Sequence, residues 1–564
     1  MTVLQSPFRI LWRTFLEQFA ANESATSDLQ MRRAIIGVFA FLITPGFFLM
    51  MKTMPDYELM LMVAKARNMP QMIETRLAQL AVLFVSYSMV TTGLLTVFIW
   101  DTLVFDKRDA MVLGPLPVRG TTVVAAKLAA LATFLLGAAL AVNVTSGVPF
   151  AFVTGGPEGH LIRHLAGHLS GTIGGAVFVF SALVIARGVL VLVVSPHFAA
   201  TVGSVLQFVF LSAVLCFMMV PTAIGKATVP IAWFFGLFEL IRGSREEGID
   251  PLAQRALIAL SLSVVGAVAV TLGGYWRQMR AALAPSARVG ASASIRRRIA
   301  RLMTGRDPIA RGTADFILTT LARSRPQQVP IAIAASIAVA IVSVAIATRP
   351  GGFDALQAPR TVVLWIPMVI GYWIVVGLRA SFVMPTELPA AWLFRVHSTV
   401  PSASYSSGVR ASMVAFAIGP ALLVNALVVL PLAGFRLAAI HSIIICLTVT
   451  IAAQFASLLV DSVPFTRAYP PGHAKLKTRW PLYMLGMYAV AYLPVQLELR
   501  TLNDPAGFVV MVAAGIALVS ALEISGRRVA MHWQLQPDAE FGDDPEALTT
   551  LNLSQPPRSV QPAM

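Results

Sequence analysis

LAQLAVLFVSYSMVTTGLLTVFIW, residues Leu77–Trp100, carries no charged side chain. As a helix rising about 1.5 Å per residue it reaches about 36 Å, enough to cross a hydrocarbon core of about 30 Å. Runs of the same kind recur at roughly 34–51, 128–153, 170–195, 203–223 and 256–275, then at 329–347, 361–378, 412–434, 438–460, 480–497 and 506–524. About twelve spans follow. They fall six on either side of a long polar segment, so the expected fold is an all-α polytopic membrane protein of two six-helix halves. Composition agrees: of 564 residues, 57% are hydrophobic and only 12% charged, where soluble domains hold about 25% charged residues. An ordinary soluble enzyme, a disordered chain and a coiled coil are excluded.

Five segments are expected: 1–33, 34–276, 277–328, 329–524 and 525–564. In the first, Phe8, Ile10, Leu11, Phe15, Leu16 and Phe19 recur on a helical period with Arg9 and Arg13 between them. An interfacial amphipathic helix fits this pattern; a soluble helix docked on a partner is the alternative. The first apolar run starts near Ala34 and is followed by Lys52 and Thr53 without a small-residue cleavage site, so it reads as a retained helix. Pro45, Pro221, Pro367, Pro420, Pro431 and Pro494 lie in or at the ends of the runs. They predict kinks and not breaks, because neighbours in a bundle satisfy the freed carbonyls.

The net charge of +16 is unevenly shared between the two sides of the bilayer. With the N-terminus in the cytosol, 28 Lys and Arg fall on inside segments and 13 on outside loops, with Lys127 and Arg187 in or at the edge of spans. That asymmetry predicts two cytosolic termini. Its largest part is the segment 277–328, eleven arginines against Asp307 and Asp315, including the run Arg296, Arg297, Arg298. It reads as a basic linker anchored to anionic lipid; no aromatic set accompanies the arginines, so nucleic acid is not an expected partner. The tail, with Asp538, Glu540, Asp543, Asp544 and Glu546, reads as a disordered cytosolic end.

Catalytic signatures are missing. Gly225-Lys226 has Val220 where a P-loop needs glycine and Ala227 where it needs a hydroxyl, so this chain is not expected to hydrolyse ATP, and no enzyme, cofactor or metal is expected on it. Leu169 to Gly175 superficially resembles an ATPase signature peptide but opens an apolar helix, and small-residue helix packing is the expected role. His160, His164 and His168 share a helical face, yet they spread over about 12 Å, too far for one ion, and they read as the polar face of a short outer helix. Cys216 and Cys446 read as core thiols. Polar groups inside the spans are few: Asn143, Arg187, Gln207, Asn425, His441, Gln454, and Glu523 near a helix end. Arg187 is expected to snorkel to the surface, and with almost no intramembrane carboxylate an ion-driven mechanism loses support. The loop from Ile224 to Arg255 holds an apolar stretch, Pro230 to Ile241, too short to span; it reads as a re-entrant or interfacial helix with Glu239 at the surface.

The loops after the second and eighth spans carry more information. Trp100 to Arg119 runs from an acidic-basic stretch, Asp106-Lys107-Arg108-Asp109, into Leu113-Gly114-Pro115-Leu116-Pro117-Val118-Arg119, and Lys127 follows in the next helix. Each proline removes a donor and disfavours αR before it. A short charged helix therefore breaks into a rigid turn presenting Leu113, Leu116 and Val118 for docking into a partner's groove, or packing on its own bundle. At the corresponding place in the second half stand Pro385, Glu387, Pro389, Trp392 and Arg395, and a third inside loop runs from Asp461 to His473.

The stretch from Asp109 through Leu113, Pro115, Leu116, Pro117 and Arg119 to Lys127 resembles the loop after the second helix in type-2 ABC exporter permeases. The interfacial N-terminal helix and the six-span half are similar to that family's plan too. The resemblance implies that this loop is a coupling helix engaging a separate ATP-binding ABC subunit in the bacterial cytoplasmic membrane. It also implies that two fused halves replace the usual permease dimer, a single chain acting as a pseudo-dimer. The second loop lacks the acidic-basic run, and Pro385, Glu387, Trp392 and Arg395 take its place as expected coupling residues. The scarcity of polar groups along the spans suits a lipophilic substrate. Two alternatives stay open: a twelve-helix secondary carrier of major facilitator type, which expects buried charge, and a membrane-bound lipid-acting transferase, for which Glu246, Glu247 and Asp250 are the available acidic residues.

Overall fold

The computed structural model describes residues 6–20, 28–100, 102–105, 107–155, 160–194, 196–219, 229–244, 248–283, 292–347, 360–384, 402–466, 480–531 and 533. Among them there are helices and turns and no strand, and the chain is an all-α polytopic membrane protein. In chain order the helices are α1 (Pro7–Ala20), α2 (Asp28–Ala66), α3 (Pro70–Phe98), α4 (Lys107–Leu113), α5 (Gly120–Gly155), α6 (Leu161–Val193), α7 (Pro196–Met219), α8 (Pro230–Arg242) and α9 (Ile249–Leu283). They continue as α10 (Ser292–Thr304), α11 (Pro308–Arg323), α12 (Arg325–Ala347), α13 (Arg360–Phe382), α14 (Ser402–Ala433), α15 (Phe435–Ser457), α16 (Pro481–Thr501) and α17 (Pro505–Ala530). Proline stands in the first turn of α3, α8, α11 and α17, where its missing N–H costs no helical bond and its fixed φ starts the turn.

Ten of these helices are long and apolar enough to cross a membrane among the described residues, against about twelve expected. The two others expected fall within α2 and α7. The described part of each segment is helical, but the apolar stretch described in α7 is only Val202–Cys216. The chain divides into two compact units, residues 1–290 with 332–362, and residues 291–331 with 363–564.

In the first unit, Trp100, Leu103, Phe105, Phe134, Leu183, Leu211 and Tyr275 are buried in one continuous core drawn from α3, α5, α6, α7 and α9 and from the turn after α3. Some polar groups between these helices are paired, as a medium without water favours. Asn143 Nδ2 donates to Ser88 Oγ at 2.8 Å, and Ser88 Oγ donates to the Thr172 carbonyl at 2.9 Å, linking α5, α3 and α6. The glycines of α6 serve packing, as their sequence context indicates. A Cβ on Gly171 would stand 2.9 Å from the Phe234 carbonyl, and one on Gly167 2.9 Å from the Phe238 carbonyl, so α8 lies directly against the small-residue stripe. Replacing Gly171 by Leu is expected to cost about 1–3 kcal/mol through overpacking, with Ala intermediate. Thermal unfolding of the purified chain checks the order.

In the second unit, Trp373, Met413, Ile445, Val449 and Val495 are buried. Two of its spans contain a widened π turn, Asn425–Val429 in α14 and Tyr488–Tyr492 in α16. Pro431 and Pro494 follow each turn by two residues. A proline cannot donate to the carbonyl four residues back and collides with it, and a widened turn relieves that collision within a continuing helix. The expected kinks at these prolines take this form. At α11, Asp307 caps the helix: its Oδ1 accepts from the N–H groups of Ile309 at 2.9 Å and Ala310 at 3.1 Å.

Burial pushes the Asp307 carboxyl up, but the Ala310 N–H, the Ser404 hydroxyl, the Ile309 N–H and Arg311 outweigh it, and its pKa lies below the ordinary carboxylate value. A depressed carboxylate stabilises the fold above its unfolded value, and this contribution is lost as pH falls through the folded one. Asp307→Ala is expected to cost about 0.5–2 kcal/mol at neutral pH. In unfolding scans the gap between variant and wild type should shrink in acid.

Candidate functional site

The sequence marks the stretch from Asp109 to Lys127 as the functional element, and the fold divides it in two. α4 ends at Leu113, and Gly114 to Pro117 form a tight turn in which Gly114 N–H donates to the Ala110 carbonyl at 3.1 Å and Leu116 N–H to the Leu113 carbonyl at 3.3 Å. Pro115, Leu116, Pro117 and Arg119 are exposed, with Met111 and Val112 beside them; Leu113 and Val118 are half-buried against the core. That part of the expectation describes a surface knob.

Asp109 and Lys127 are different. They are only 5% and 1% exposed, and Lys127 Nζ stands 3.5 Å from Asp109 Oδ2. Gln18 of α1 donates to Asp109 Oδ1 at 3.1 Å, and the ammonium lies 4.7 Å from the Phe15 ring centre and 5.4 Å from that of Phe105. Both charges are turned inward. They join α4, α5 and α1 internally, and an ammonium held between aromatic faces is stabilised by their π charge. The N-terminal helix is thus packed on α5, with Phe15 buried and Trp12 Nε1 donating to Thr133 Oγ1 at 3.2 Å, while Phe8 and Ile10 remain exposed.

Pro385, Glu387, Trp392 and Arg395 lie outside the described residues, as do the end of the Asp461–His473 loop from Arg467 onward and the acidic tail.

Four other expectations are corrected by burial. His164 and His168 do not form an exposed face on a short helix. They are buried in the long α6, where His164 Nδ1 is 2.9 Å from Thr154 Oγ1 and His168 sits 4.8 Å from the Phe150 ring and 5.4 Å from that of Phe84. Arg187 does not snorkel; it is buried with its guanidinium 5.7 Å from the Trp100 ring. Glu239 is buried too, and accepts from Arg242 at 2.8 Å while Arg242 reaches Glu74 at 2.8 Å, tying α8 to α3. Cys216 and Cys446 are free thiols and only half-buried.

Sequence reasoning placed His441 inside a span but missed its partner. His441 of α15 and Glu498 of α16 are both 0% exposed, with Nδ1 and Oε2 2.8 Å apart. His441 Nε2 and Glu498 Oε1 have no hydrogen-bond partner. Nearby in sequence, Asn425 at the start of the first π turn donates to the Ala438 carbonyl at 2.9 Å and to Ser442 Oγ at 2.8 Å. Glu498 fell one residue beyond the apolar run ending at 497; the signal that finds it is the helical continuation to Thr501.

Among the described residues no group of three or more His, Cys, Asp or Glu is placed to hold a metal. A cleft of about 610 Å³ opens at the α2–α3 turn beside Met60, Met69, Met72 and Arg76, and its lining contains no carboxylate or imidazole. No family model, curated protein or solved structure matches the chain.

Proposed function

We propose that this chain is the membrane permease subunit of an ATP-driven ABC exporter in the bacterial cytoplasmic membrane, with both termini cytosolic. α4 and the turn from Gly114 to Arg119 form the contact for a separate ATP-binding subunit. The observation that supports this reading best is the construction of the knob. Its tip, the apolar Pro115 to Pro117 with the charged Arg119 beside it, is exposed, while its base is fixed to α5 by the buried Asp109–Lys127 pair. A push on the tip is therefore delivered to a membrane span and not absorbed by a loose loop. ATP hydrolysis is assigned to the partner and the passage to this chain; the substrate is lipophilic.

Co-purification from native membranes tests the proposal. An ATP-binding subunit is expected with the wild-type chain, and Leu116→Asp, which places a charge on the exposed tip without touching the core, is expected to weaken its retention about thirtyfold if Leu116 is a central anchor. Uphill transport by the purified chain alone, without ATP, would overturn it. A second reading, the secondary carrier, is favoured by the buried His441–Glu498 pair, since ion-driven carriers place ionisable residues inside their spans. Uptake that follows a proton gradient and is lost in Glu498→Gln supports that reading instead.

A further inference from the structure

The second unit carries a helix whose three sides have separate chemistry. In α10, Ala300 is buried and Thr304 half-buried, Ile299, Leu302 and Met303 are exposed, and Arg297, Arg298 and Arg301 are exposed as well. At about 100° per residue, Ala300 and Thr304 mark the packed side. Met303, Ile299 and Leu302 then run round one flank from the packed side to the point opposite it, and the three arginines run round the other flank, from Arg297 beside Thr304 to Arg298 at the edge of the apolar strip. Leu302 is 75% exposed. An exposed leucine beside arginines on one short helix is the pattern of a helix lying in a headgroup layer.

Neighbouring contacts within the unit place α10 at the right level. Three residues after it, Asp307 takes a hydrogen bond from the Ser404 hydroxyl in the first turn of α14, one of the membrane-crossing helices. Ser402 Oγ in that turn donates to the carbonyl of Ala530, the last residue of α17, which crosses as well. Arg527 and Arg528 are exposed on the final turn of α17. α10 thus lies where one span begins and another ends, on a face that also carries Arg306, Arg527 and Arg528. Among the described residues, Asp307 is engaged in the α11 cap, and Glu523 with Arg410 at 2.8 Å and Arg527 at 3.1 Å.

We propose that α10 is an interfacial helix that binds the headgroups of anionic phospholipids through Arg297, Arg298 and Arg301 and seats Ile299, Leu302 and Met303 at the acyl boundary. The leaflet at that face is the occupant, because the arginines complement its negative surface and the apolar strip complements its boundary layer. The assignment depends on the membrane fold alone and stands or falls separately from the exporter reading.

Amide hydrogen exchange of the full chain in nanodiscs reads it directly. Residues 292–304 are expected to exchange more slowly in discs containing phosphatidylglycerol than in phosphatidylcholine alone, and added salt is expected to reduce the difference. Native mass spectrometry provides the second arm. Retention of phosphatidylglycerol over phosphatidylcholine should fall about fivefold for each arginine removed in an Arg297→Gln, Arg298→Gln, Arg301→Gln series. The same number of substitutions at Lys52, Lys65 and Arg67, exposed in α2 and the turn after it, should leave it unchanged. Equal protection in both lipids would show insertion without headgroup recognition and overturn the proposal. So would protection in neither, or an equal loss in the two variant series.

Discussion

Replacing Lys127 by Met is expected to destabilise the first unit by about 3–5 kcal/mol, the cost of leaving a buried carboxylate without its counter-charge. Met keeps the length of the side chain and its packing between Phe15 and Phe105, so the loss reports the charge and not a cavity. Asp109→Asn should be costly for the same reason in reverse, because it leaves the ammonium enclosed by aromatic rings with a weaker acceptor. The double variant, Lys127→Met with Asp109→Leu, removes both charges and is expected to recover most of the lost stability. Thermal unfolding of the wild type, Lys127→Met, Asp109→Leu and the double variant gives the coupling energy. Strict additivity, or single-variant losses below about 1 kcal/mol, would mean that the pair is a solvated contact. The result also bears on the knob: with its base loosened, Leu116 stays exposed but no longer stands on a fixed span.

The spans were legible in the sequence because a run such as Leu77–Trp100 has one stable place to go, and its length alone decides that place. The proline turn was legible for a similarly local reason, since Pro115 and Pro117 forbid continuation of α4 whatever surrounds them. What the sequence did not disclose is which side of each helix meets protein and which meets lipid. A soluble helix advertises its inner face by contrast with a polar outer one, but both faces of a membrane helix are apolar, and the contrast is lost. Arg187, Glu239, His164 and His168 were therefore read as surface groups by their chemistry, when partners distant in sequence bury them. The same gap hid the roles of Asp109 and Lys127. The motif brought them into one reading, but only the approach of α1 with Gln18 and Phe15 makes their pairing internal.

Loss of Glu498 is the second large effect expected. Glu498→Ala should cost about 3–5 kcal/mol, because it removes the acceptor from a fully enclosed imidazole and leaves a cavity between α15 and α16. Glu498→Gln keeps an oxygen for His441 Nδ1 but places an amide N–H₂ where Oε1 has no partner, so a smaller loss of about 1–3 kcal/mol is expected. Leu at both 441 and 498 replaces the pair by apolar groups of similar volume and should return near to wild-type stability. Unfolding scans of the wild type, His441→Leu, Glu498→Leu and the double variant in one lipid composition close this cycle as well, and additive losses would show that the two side chains are not coupled. The double variant then separates the two functional readings. If an ATP-binding partner powers the chain through α4, the Leu pair is expected to remain folded and to keep that partner. If the chain is a proton-driven carrier, the same variant is equally stable yet transports nothing, because the groups that exchange the proton have gone.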